Sequence, residues 1–160
     1  MAKVDIKIKG LKALQEELNA KREAIVNGLR YELTQLAESA VTYSKDNKGY
    51  KDRTANLKNS ISFALYLDGE LVNLNEGKIP KPDKVEGGQK QVSDALDEYA
   101  KQDGVVTPKG FSLLIVAGMS YGKYVEDRGY NVLFLTKNFL RREMKAIFER
   151  VVERINNGEV

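Results

Sequence analysis

Residues 61–74, Ile61-Ser-Phe-Ala-Leu-Tyr-Leu67-Asp68-Gly69-Glu-Leu71-Val72-Asn-Leu74, decide the fold. Ile61, Phe63, Leu65 and Leu67 alternate with Ser62, Ala64 and Tyr66, the period-2 rhythm of a strand with one face buried. Asp68-Gly69 is a strong two-residue hairpin signal, because both central positions of such a turn take a positive φ. Leu71, Val72 and Leu74 then form the return strand. A β-hairpin in mid-chain is the nucleus from which the other elements are placed.

Downstream, Phe111 to Ala117 (FSLLIVA) is the most hydrophobic run and predicts a central strand. Between hairpin and run, residues 76–110 break the rhythm. They hold all three prolines (Pro80, Pro82, Pro108) and Gly87-Gly88, with one amphipathic helix marked by Val92, Ala95, Leu96 and Tyr99. Such a segment hung between strands reads as an insertion or lid. Gly118 to Asn131 is polar and aromatic. Thr136 is then placed to cap a last helix, with Leu135 and Leu140 as its hydrophobic staple. Leu140, Met144, Ile147, Phe148, Val151 and Ile155 share one stripe of that helix, which Asn156-Asn157-Gly158 ends.

Upstream, Val4, Ile6 and Ile8 alternate with Asp5, Lys7 and Lys9 as a short strand closed by Gly10. From Leu11 to about Ser44, Leu11, Leu14, Leu18, Ile25, Val26, Leu29, Leu33, Leu36 and Ala40 lie on one helical side. An unbroken helix there runs roughly 50 Å, while a domain of this size has a radius of gyration of about 15 Å. Either it bends near Asn27-Gly28 or one end leans on a neighbouring subunit; the second is favoured. Lys45 to Arg53 reads as loop. The expected architecture is one α+β domain over 1–160. It holds a mainly antiparallel sheet of about four strands, packed against long N- and C-terminal amphipathic helices.

Composition narrows the chemistry. The 160 residues contain no cysteine, histidine or tryptophan. That removes disulfides, thiolate nucleophiles and Cys-ligated zinc, and also the usual general base near neutral pH. Neither a cofactor nor a catalytic residue is expected. An enzyme would have to work with carboxylates, Lys, Tyr or a hard cation. Asp94, Asp97 and Glu98, or Glu126 with Asp127, are the only acid groupings to consider, and acids of this kind are mostly solvated. The net charge of +3, from 26 basic and 23 acidic residues, is spread without a dense basic stripe. No run of about 18 apolar residues predicts a membrane span. The opening MAKVDIKIKG does not read as a secretory signal, which predicts action where the chain is made.

Two residue groups stand out. The first is Thr54-Ala55-Asn56-Leu57-Lys58-Asn59-Ser60-Ile61; on its residues alone it is a loop-to-strand junction with Thr54 as a local cap. The second is Gly118-Met-Ser-Tyr121-Gly122-Lys-Tyr124-Val125-Glu126-Asp-Arg-Gly129, where Tyr121 and Tyr124 fall three apart. Read structurally, it is a connection whose tyrosines cover the core. A third group, Arg141, Arg142 and Lys145, is the basic side of the last helix and reads first as a solvated face.

In this order, strand, Gly-Leu, long helix, first motif, hairpin, strand, second motif and terminal helix, the chain resembles the head–tail joining or tail-completion proteins of long-tailed bacteriophages. The family's first motif, T-G-x-L-x-x-S-I, is matched by Thr54, Leu57, Ser60 and Ile61, with Ala55 where the family tends to have glycine. Its second, G-x-x-Y-A-x-Y-V-E-x-G, is matched by Gly118, Tyr121, Tyr124, Val125, Glu126 and Gly129, with one extra residue before Gly129. The resemblance implies a non-enzymatic virion part, made in the host cytoplasm and built into the head–tail junction. It implies a ring, often sixfold, whose partners are copies of itself, the connector and the tail-tube proteins. Tyr121, Tyr124 and Glu126 would then shape a corner or face a neighbour, and Arg141, Arg142 and Lys145 could touch DNA weakly in the lumen. Two other classes compete: a small nucleic-acid-binding or adaptor module, and, more remotely, a hydrolase or nuclease using carboxylates and magnesium.

Overall fold

The computed structural model describes residues 10–78 and 88–159. The chain is α+β: a three-stranded antiparallel sheet packed against long N- and C-terminal helices. Strands β1 (Ile61–Leu67) and β2 (Glu70–Asn75) form the expected hairpin, and β3 (Phe111–Ala117) pairs with the other side of β1. Asp68 and Gly69 both take positive φ, 52° and 85°, the geometry that makes Asp-Gly turns compatible with the twist of a hairpin. The strand expected at Val4–Ile8 lies outside the described residues.

The expectation of a central FSLLIVA strand is corrected. Of the described strands, β1 is central and β3 lies at an edge. Because the tight turn commits one side of β1 to β2, β3 takes the other. Both faces of β1 are covered. Ile61, Phe63 and Leu65 point toward helices α1 (Leu11–Asp46) and α5 (Phe134–Asn156). Ala64 and Val116 point the other way, against Leu96 of α3 (Gly88–Ala100). The helix inside residues 76–110 is thus the second cover of the sheet, with Val92 fully buried and Leu96 nearly so. Gly118 permits that closeness, since a Cβ there would sit 2.6 Å from the Val92 Cα.

α1 is unbroken through Asn27-Gly28, and at about 1.5 Å per residue it is roughly 54 Å long. It continues through Asp46, beyond the polar boundary at Lys45, because Ser44 is buried and the Asn47 N–H and side-chain amide both bond the Tyr43 carbonyl. Only its C-terminal half enters the core: Leu33, Leu36, Ala37, Ala40 and Val41 are buried, whereas Leu11, Leu14 and Leu18 are 58%, 53% and 58% exposed. The hairpin is tied to this helix at an irregularity in β2. Pairing steps from Leu65–Asn73 to Tyr66–Leu71, leaving Val72 as the extra residue of a bulge. Its carbonyl accepts a 2.7 Å hydrogen bond from Arg30 Nη2.

α5 lies alongside α1, with the Phe139 ring stacked on Tyr43 at 4.6 Å and Arg150 paired with Glu32 at 3.1 Å. The expected cap of α5 is also corrected. Thr136 sits within the first turn and is buried; its hydroxyl is 2.7 Å from that of Ser44, and Leu133 occupies the cap position. Leu135 is likewise inside the helix, so the staple with Leu140 does not form. Ile147 of the apolar stripe is buried, but Phe148 and Ile155 stay 52% and 41% exposed. A short helix, α2 (Asn56–Asn59), stands within the expected loop-to-strand junction.

Candidate functional site

The two motifs, far apart in sequence, meet at one corner of the sheet. Ile61 pairs with Ala117 across β1 and β3, and one step beyond the ladder the Gly118 N–H donates to the Ser60 carbonyl at 3.1 Å. Leu57, buried on α2, packs toward Gly122 on α4 (Gly122–Asp127); a Cβ on Gly122 would lie 3.1 Å from Leu57 Cδ1. Leu57, Val92, Met119 and Val132 form one cluster there, with Tyr50, Val125 and Leu133 packed around it.

Each motif residue has a local task. Thr54 Oγ1 accepts the Asn56 N–H at 3.3 Å, a side-chain turn that starts α2. Ala55 between them has φ 61°, a left-handed backbone that costs a residue with a Cβ about 1–2 kcal/mol. Buried Ser60 donates its hydroxyl proton to the Leu57 carbonyl at 2.8 Å, closing α2. Its own carbonyl also accepts from Ser62, whose hydroxyl oxygen accepts the Gly77 N–H at 2.8 Å. Backbone passes so close here that a Cβ on Gly77 would lie 2.3 Å from the Asn59 carbonyl oxygen.

In the second motif, Glu126 holds the start of α5. Its Oε2 accepts the N–H groups of Val132 and Leu133 at 3.1 and 2.7 Å, donors just ahead of the helix that have no intrahelical partner. Gly129, at φ 81°, makes this reachable. It ends α4 with the Tyr130 N–H bonded to the Val125 carbonyl at 3.3 Å, a left-handed termination that turns the chain back under Glu126. Asn131 completes the join: its Oδ1 accepts the Leu135 N–H, its amide donates to the Asn47 carbonyl, and its carbonyl accepts the Gly49 N–H.

The tyrosines differ. Burial, helped by the Asp52 carboxylate, holds the Tyr121 phenol above its usual pKa, and the polar groups of the nearby Leu57 backbone and Thr54 side chain partly offset the rise. That proximity sets Tyr121 of one motif beside Thr54 and Leu57 of the other. Tyr124 is 59% exposed and lies under the Arg128 guanidinium, 4.5 Å from ring centre. Sequence reasoning missed a third ring, Tyr50. It packs on the cluster between the motifs, and its hydroxyl is buried with no partner among the described residues. Burial, then the nearby Asp52 carboxylate, Tyr121 and Glu126, pushes its pKa far up. The one available signal was an aromatic residue inside a polar loop.

The basic group of α5 is exposed and partly neutralised. Arg142 pairs with Glu143 at 3.0 Å and lies over the Phe139 ring, and Lys145 approaches Glu149 at 3.8 Å. Asp94 pairs with Lys90. Among the described residues no cluster of three or more acids could hold a metal ion, and no helix is long and apolar enough to cross a membrane. Compared with known proteins, the chain matches no family model, no curated protein and no solved structure.

Proposed function

We propose that this chain is a structural subunit of a long-tailed bacteriophage or prophage, one copy of a ring that joins head to tail. The observation that carries this reading is the convergence of the two motifs. Thr54, Leu57, Ser60 and Ile61 meet Gly118, Tyr121 and Gly122 at one corner, Glu126 holds the start of α5 beside it, and each named contact there is a cap, a chain crossing or a packing contact. These are scaffolding tasks, as the resemblance to tail-completion proteins implies for these residues. The left-handed backbone at Ala55 adds support, since glycine, the residue the family tends to carry there, adopts it without strain.

A ring needs a surface on one copy that fits a different surface on the next. The exposed leucines of α1 are one such surface, and the apolar side of α5 around Phe134 and Phe148 is another. In this reading the protein is made in the host cytoplasm and ends in the virion junction, beside connector and tail-tube proteins. The test is native mass spectrometry with electron microscopy of the purified chain. A closed ring, from a gene set among portal, capsid and tail-tube genes, is expected; a monomer at all concentrations, encoded far from virion genes, would overturn it. Filter binding to duplex DNA at low salt tests the lumen contact of Arg141, Arg142 and Lys145, and strong binding without assembly would favour the nucleic-acid module instead.

A further inference from the structure

Beneath α5 the described sheet is one strand short. Among the described residues β3 is paired on one side only, and along its other edge Leu113, Leu114 and Ile115 open onto a groove of about 1000 Å3. The far wall is α5, where Leu140 and Met144 line the floor and Phe134 and Phe148, 66% and 52% exposed, stand at the ends. Neighbouring strands lie about 4.8 Å apart, so a strand added to β3 would run under this overhang. Its apolar side chains would point at those rings and its backbone would take up the unpaired edge.

We infer that the occupant is the segment Val4-Asp5-Ile6-Lys7-Ile8 of a second copy of this chain. The alternation of Val4, Ile6 and Ile8 with charged residues suits a strand with one apolar face. The length of chain ahead of α1 decides between copies. Leu113 and Ile115 pack at the level of Leu33 to Val41, and Leu33 is about 33 Å along the helix from Leu11 at 1.5 Å per residue. Residue 6 stands five residues before Leu11, which gives at most about 18 Å of fully extended chain. It cannot lie on Ile115 of its own copy. A neighbour's can, and seating it there brings the neighbour's Leu11, Leu14 and Leu18 against the same surface, covering a stripe left bare in the single chain. Donor and acceptor are different surfaces, so passing the segment from each copy to the next makes a head-to-tail contact, which the ring reading closes on itself. This inference rests on the ring reading above and gives it an interface.

The absence of native cysteine makes the test clean. In the full-length chain carrying Ile6→Cys together with Met144→Cys, mild oxidation is expected to give a ladder of disulfide-linked multimers, absent from either single variant. Ile6→Asp, which leaves the described core untouched, is expected to raise the concentration for half-assembly at least tenfold with an unchanged circular dichroism spectrum. A cross-link closed within one chain, or no cross-link, overturns the inference. If the unmodified chain still forms rings in that case, the interface is elsewhere and the ring subunit stands; if it forms none, both fall.

Discussion

The hydroxyl oxygens of Ser44 and Thr136 lie 2.7 Å apart in a fully enclosed seam between α1 and α5, although 92 positions separate them in the chain. Ser44 also reaches the Ala40 carbonyl at 2.7 Å, so the pair shares its protons among three oxygens. Removing Ser44 strands the Thr136 hydroxyl, whereas removing Thr136 leaves Ser44 its bond to the Ala40 carbonyl. Ser44→Ala is expected to destabilise by about 1–3 kcal/mol and Thr136→Val by less, while the double variant recovers part of the Ser44→Ala loss. Urea unfolding of the four proteins checks this; strictly additive losses would show that the hydroxyls do not depend on each other.

Glu126 stabilises the start of α5 through two backbone donors. Glu126→Ala is expected to lose about 1–2 kcal/mol, the usual range for an N-terminal cap, and Glu126→Gln rather less because one acceptor oxygen remains. Thermal melts followed by circular dichroism decide it. Equal melting temperatures for all three proteins would remove the capping role.

Ala55 and Gly118 make a pair of opposite predictions. Ala55→Gly relieves a left-handed alanine and is expected to raise stability by roughly 0.5–1 kcal/mol, after the added chain entropy of glycine is subtracted. Gly118→Ala drives a methyl group into the Val92 backbone and is expected to cost about 1–3 kcal/mol or more. Denaturation midpoints of the two variants should move in opposite directions.

Among the phenols held above their usual pKa, Tyr50 is pushed furthest, with Tyr121 and Tyr66 moved in the same direction. Its folded pKa lies above the unfolded value near 10, so between those values the native state holds a proton that the unfolded chain releases. The stability that this proton contributes is therefore full below about pH 10 and falls as pH rises beyond it. Tyr50→Phe should flatten that fall, and should leave stability at pH 7 unchanged or slightly higher, because the lost hydroxyl has no partner among the described residues. Ultraviolet titration of the phenolates beside unfolding curves at pH 8 to 11 measures both effects.

Much of the fold was legible because the deciding signals were local. Alternation and Asp-Gly specified the hairpin, and the 3.6-residue stripes specified α1, α3 and α5. What escaped was set by tertiary contact. Thr136 has the chemistry of a cap, yet Ser44 claims its hydroxyl and a distant carboxylate does the capping. FSLLIVA is apolar enough for a central strand, yet β1, with its small and polar Ser62 and Ala64, is the one enclosed on both sides, because α3 packs where those side chains leave room. At the corner, the motif residues were visible by resemblance, but their tasks were not. Nothing in the spacing of Glu126 and Leu133 says that one bonds the other, since that depends on the reversal at Gly129. Tyr50 was hidden for the same reason.

The uneven burial of α1 has a consequence for measurement. Amide hydrogens from Leu33 to Ser44 sit on the core and should exchange with solvent water only through large-scale opening, while those from Leu11 to Glu23 belong to turns that touch little else. One continuous helix thus carries a graded ruler of deuterium uptake, with its zero near Ile25. Any advance of the slow zone toward Leu11 would register a neighbour's arrival, residue by residue, without a label.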